Sequence, residues 1–238
     1  MPIIPTILLV GLITAGSIAF FFLKHLQTQG DLQAILKTTQ WLATLYAAVV
    51  AILTLVSVVQ VVFTRTAPGA SLPISPWRPD GLNLEPTDSH ASLENFHFDT
   101  ITADATGFSL QAALLLAGSL MLGGIVQVSI ALAFRALAQG QLKGTPFRAQ
   151  FASITQSVAW VVLICGFMAP ILEGFGAATL ASESLTAWAL TDGLSSAPTA
   201  NLALFINFWP IGVFLMLYTL SAILDFGEQL QKSTEGLV

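Results

Sequence analysis

Charge is what this chain has least of. Eight Lys and Arg and thirteen Asp and Glu make up 9% of its 238 residues, against about a quarter in ordinary soluble domains. So little charge cannot clothe a water-soluble surface, and so few basic residues build no nucleic-acid interface. Cysteine is nearly missing as well. Cys165 stands alone in an apolar run, which excludes an internal disulfide and reads as a packing thiol rather than a reactive one. Of the three histidines, His25, His90 and His97, none stands beside a suggestive serine or beside Cys165. Gly123-Gly124 lacks the lysine that follows a phosphate-cradling loop. No catalytic residue is assigned, the expected class is non-enzymatic, and no particular cofactor is indicated.

Long apolar runs are there instead. Hydrophobic residues account for 55% of the chain and the mean hydropathy is +0.79. A helix needs roughly 20 apolar residues to cross about 30 Å of hydrocarbon. Five stretches qualify: Ile3–Leu23, Trp41–Phe63, Phe108–Phe134, Ala152–Leu172 and Leu202–Leu224. Backbone amides in lipid must be satisfied within the segment, and no alternating barrel pattern runs through these stretches, so each is read as a helix. The expected fold is an all-α integral membrane bundle of about five transmembrane helices forming one domain. Ile3–Leu23 has no Lys or Arg before it and no small-x-small cleavage site after it, so it reads as a span rather than a signal peptide.

Basic residues set the expected orientation. Lys24, Lys37, Arg135, Lys143, Arg148 and Lys232 fall on one side of five alternating spans, whereas Arg65 and Arg78 on the other are outnumbered by acidic residues. The first side is expected to be cytoplasmic, with the C-terminus inside and the N-terminus outside. The outer loop 64–107 begins with Pro68, Pro73, Pro76, Pro79 and Pro86, which forbid continuous helix and favour an extended, turn-rich path. Its second half, with Leu93, Phe96, Phe98 and Ile101 among polar residues, suggests a short strand or hairpin. In the second outer loop, 176–201, Leu185–Leu190 is expected along the membrane surface with Trp188 at headgroup level. The two loops together predict a small external cap.

The inner connection 135–151 reads as a helix ending near Gly140, a turn, and a new helix opening at Thr145-Pro146, since Thr caps well and Pro suits the first helical position. Gly140, Gly144, Pro146 and Phe147 here, with Phe226, Gly227, Leu230, Gln231, Glu235, Gly236, Leu237 and Val238 in the tail, resemble an uncharacterised bacterial multi-spanning membrane family, the domain of unknown function 2975. The resemblance covers Phe108–Val238 in motif, and Trp41–Phe63 only in hydropathy and order. It implies a four-helix membrane unit with an external loop domain after its first helix. Ile3–Leu23 is then an addition, a departure that bears on the N-terminal orientation. No site residue is inherited, because the family has none established.

Several candidate sites have plainer readings beside them. Asp88, His90, Glu94, His97 and Asp99 cluster in the outer loop, and His97 and Asp99 would share one face of a strand, a workable geometry for a metal. An acidic, solvated loop holding two histidines accounts for the same residues, and no metal site is assigned. Gln127, Gln156 and Asn207 lie in or near spans, where polar side chains bond neighbouring helices or line pathways. Pro210 predicts a kink in the last span. Gly11, Ala15 and Ala19 form one row of small residues and Ser119 with Gly123 another, each a surface for close helix packing. The expected role is an accessory or regulatory subunit that binds or stabilises another membrane component, with membrane lipid and other membrane subunits as partners. A small transporter or channel, and a membrane sensor signalling to a cytoplasmic regulator, are the alternatives.

Overall fold

A computed structural model describes residues 32–77, 98–143, 149–192, 199–204 and 206–235. Helix accounts for 80% of these described residues. In chain order they form α1 (Leu32–Val59), a π-helical turn (Gln60–Thr64), β1 (Thr66–Trp77), β2 (Phe98–Thr106), α2 (Leu110–Leu142), α3 (Ala149–Asp192) and α4 (Trp209–Glu235). Four helical stretches, Leu32–Thr64, Leu110–Leu142, Gln150–Leu185 and Trp209–Ser233, are long and apolar enough to cross a membrane. That is consistent with a multi-pass membrane protein. The expected first span, Ile3–Leu23, lies outside the described residues.

The helices overrun the apolar cores read from the sequence, because hydroxyl-bearing residues at their ends need no water to stay helical. Thr39 in α1, before the expected start at Trp41, returns its hydroxyl to the carbonyl of Ile35 at 2.9 Å. Thr179 does the same toward Phe175 O at 2.8 Å in α3, beyond the expected end at Leu172. A side chain bonded to its own preceding turn hides its polarity from lipid. Three boundaries differ from expectation. α1 starts at Leu32 rather than Trp41. α3 runs through Pro170 to Asp192, so the surface piece expected at Leu185–Leu190 is the end of that helix. Pro210 does not kink the middle of a span; it is the second residue of α4, where a ring lacking an N–H and fixed in φ belongs. Residues 202–204 and 206–208, expected to be helical, are not.

The chain divides into two compact units. The first comprises 1–56, 121–168 and 207–238. Its described core is a layer of Val126, Ala133, Val158, Ala159, Val162 and Leu217, with Cys165 and Phe214 packed against it. Close approach is made by glycine. A Cβ at Gly124 would lie 2.5 Å from the Thr54 hydroxyl, one at Gly140 would lie 2.6 Å from the Phe151 ring, and one at Gly166 would lie 2.8 Å from the Pro210 ring.

The second unit comprises 57–120 and 169–206. Here β1 and β2 pair antiparallel, with Thr66 opposite Thr106 and Leu72 opposite Ile101. The Pro-rich half of the loop thus supplies one strand, and its partner comes from the second half. Ile74 bridges to Ala200 on the other edge of β1, where Ser75 N–H donates to Thr199 O at 2.8 Å and Asn201 N–H to Pro73 O at 3.0 Å. Leu72, Ile74 and Ala105 from the strands pack with Val61, Phe108, Ala112, Ala113, Ala117, Leu180, Ala181 and Leu185.

Candidate interaction site in the bilayer

The polar side chains fully enclosed among the described residues have little chemistry left. Thr155 donates to a carbonyl of its own helix. Ser221 is buried and donates to the Ala152 carbonyl at 2.8 Å, tying α4 to α3. Such groups fasten helices and offer nothing to a substrate.

The exception is on the outside. Tyr46 of α1 donates its hydroxyl to the Gln127 side-chain carbonyl of α2 at 2.9 Å, across 81 residues of sequence, and both residues are exposed. The helical stretch Leu32–Thr64 and α2 each have 33 residues, about 50 Å at 1.5 Å per residue, which puts Tyr46 about 21 Å and Gln127 about 26 Å from the start of its own stretch. A hydrocarbon layer of about 30 Å centred on such helices covers both positions. Among the described residues nothing accepts a hydrogen bond from the Gln127 amide nitrogen. An amide facing hydrocarbon with unspent N–H groups costs on the order of 1–3 kcal/mol, and a polar group on another transmembrane helix would relieve that cost.

A second group lies where α4 begins. Pro210 packs on Gly166, so α4 begins beside the middle of the apolar stretch Gln150–Leu185. Its first donors are satisfied locally. Trp209 N–H donates to the Asn207 side-chain oxygen at 3.2 Å, Pro210 has no N–H, and Ile211 N–H donates to Phe208 O at 3.1 Å. Asn207 is therefore a cap. Trp160, Phe214 and Tyr218 form an aromatic cluster in the same unit, with ring centroids 5.1 and 5.5 Å apart.

No family model, curated protein or solved structure matched this chain in comparison.

The remaining sequence candidates fall as follows. Gly11, Ala15, Ala19, His90, His97, Gly144 and Pro146 lie outside the described residues, as does the side chain of Asp99, whose backbone is in β2. Among the described residues there is no group of three His, Cys, Asp or Glu able to hold a metal. Ser119 is buried, whereas Gly123 faces open space; the tight crossing with α1 falls on its neighbour Gly124. Gly140 is still helical and makes the close approach to Phe151 described above. Gln156 and Glu173 are exposed on α3. Tyr46 was legible only as a polar residue within an apolar run, and nothing in the sequence paired it with Gln127. Glu183 was likewise unforeseen. Its carboxylate accepts the Ser109 N–H at 2.8 Å, while the Ser109 hydroxyl accepts Ala112 N–H at 3.2 Å, a double cap on the start of α2.

Proposed function

We propose that this protein is a non-catalytic accessory or regulatory membrane subunit that acts by binding another transmembrane chain within the bilayer. The observation that carries this reading is the exposed Tyr46–Gln127 pair, a polar contact at a depth where lipid offers no partner. The orientation proposed with it places the basic ends of the spans in the cytoplasm of a bacterial cell, by the charge bias of the connections. A photo-crosslinking amino acid in place of Tyr46, activated in native membranes, is expected to give a discrete protein adduct. Adducts with lipid alone would overturn the reading.

A small transporter or channel is the second reading, favoured by the non-helical approach to α4 and by Asn207 at its start, since interrupted helices line substrate sites in transporters. The variant Asn207→Cys separates the two. Under the accessory reading it resists a membrane-impermeant maleimide applied from either side; rapid labelling would favour a water-filled pathway.

A further inference from the structure

The face carrying Gln127 has a repeat of its own. Gly123, Gln127, Ile130 and Phe134 follow one another along α2 at steps of four, three and four residues, the spacing of a two-helix seam. None of the four is enclosed. Phe134 is 51% exposed, Gln127 is exposed, Gly123 is partly so, Ile130 keeps part of its surface free while packing on the core layer, and a Cβ built at Gly123 meets nothing within 4 Å. A glycine with open space one turn before a polar residue lets a second backbone come close enough for a side-chain hydrogen bond.

The chemistry of Gln127 selects the occupant. A carboxamide is both donor and acceptor, so its best-matched partner is another carboxamide. Two copies of one chain inserted in the same orientation and related by a two-fold axis along the membrane normal place every residue at the depth of its own counterpart, so Gln127 meets Gln127 without any adjustment of register. The Tyr46 hydroxyl occupies one lone pair of the Gln127 oxygen. Among the described residues the second lone pair and both N–H groups have no other partner, which suits them to a reciprocal pair of bonds. An interface of this kind is closed and self-complementary, and a single polar position in an otherwise apolar seam fixes alignment, as a lone polar core residue does in a coiled coil.

We infer that the transmembrane chain bound at this face is a second copy of this protein, joined through reciprocal Gln127 amide hydrogen bonds along the Gly123–Phe134 seam of α2. The inference rests on the preceding reading of the Tyr46–Gln127 pair as a helix-docking site, and names its occupant.

The test is thiol cross-linking in native membranes, with Cys165→Ser as background and Gly123→Cys as reporter. A short bifunctional thiol reagent is expected to give a species of twice the monomer mass, containing two differently tagged copies of the chain. Adding Gln127→Leu is expected to lower that yield about three- to tenfold, the effect of losing one or two intramembrane hydrogen bonds. Gln127→Asn, which retains the amide, is expected to keep part of it. Leucine on an exposed membrane face leaves the fold intact, and monodisperse elution in detergent checks this. Cross-links from Gly123→Cys to a different protein only would overturn the second-copy assignment and leave the docking reading standing. The absence of any protein cross-link both there and from the photo-probe at Tyr46 would overturn both, and a self-cross-link of unchanged yield in Gln127→Leu would overturn the role of the amide.

Discussion

The two units are held by different means. In the unit containing the strands, individually placed polar contacts are added to an apolar core and to close glycine approaches such as Gly174 to the Ala203 carbonyl. Arg65 O accepts Gly107 N–H at 2.9 Å to close the end of the sheet. Asp104 accepts Gly69 N–H at 2.8 Å across a bulge where Gly69 has φ 65°, and Glu183 caps α2. The other unit has nearly all its described backbone in helices, and its elements meet mainly by packed volume, at glycine in the crossings of Gly124, Gly140 and Gly166, with the Tyr46–Gln127 and Ser221–Ala152 bonds beside them. The lesson is about which groups are already satisfied. Strands, bends and helix starts leave amides that need a particular partner, whereas helices running side by side need only fit. The first unit should therefore be sensitive to size and the second to hydrogen-bonding capacity.

The strongest way to break that contrast is at Gly124. Gly124→Leu drives a side chain into Thr54, and because both residues sit in packed helices the neighbours have little room to yield. We expect a loss of about 3 kcal/mol, read as unfolding in mixed micelles under a denaturing detergent. A loss below about 0.5 kcal/mol would remove the case for volume control. Next comes Glu183→Ala, expected to cost about 1–2 kcal/mol by uncapping α2, with Glu183→Gln restoring part of it through its side-chain oxygen. Faster amide hydrogen exchange at Ser109 is the specific readout, because a merely smaller side chain would not change it. The smallest effect is expected at Ser221→Ala. The Ala152 carbonyl that it frees is already bonded within α3, so the cost should be about 0.6 kcal/mol, the average for an interhelical hydrogen bond in a membrane. An effect as large as that of Glu183→Ala would blur the distinction between the units.

Much of this architecture was legible in the sequence for a simple reason: a run such as Trp41–Phe63 has no alternative in lipid but a helix. The exact helix ends were not legible, because residues such as Thr39 can satisfy themselves by back-bonding and prolong a helix beyond its oily core. The two prolines exchange roles for a related reason. Pro170 sits inside α3, where close-packed membrane helices tolerate the missing hydrogen bond, while Pro210 follows Asn207, whose side chain can stand in as a cap. Only neighbouring context separates these cases. Strandedness in 64–107 was readable from its prolines and alternation. The pairing of β1 with β2, like that of Tyr46 with Gln127, joins residues far apart in the chain and has no local signature.

The π-helical turn Gln60–Thr64, closed by Arg65 in the left-handed region at φ 48°, has a consequence for how the chain tolerates change in length. A π turn is an α-helix carrying one additional residue. Deleting one residue within it would restore ordinary winding and leave the outgoing chain close to its present direction, because the wide turn already absorbs the additional residue. The same deletion earlier in α1 has no such slack and would turn the helix before it by about 100°, one residue's share of a 3.6-residue turn. The wide turn therefore works as a length buffer at the end of the first described span, and a one-residue deletion should be far better tolerated within Gln60–Thr64 than earlier in α1.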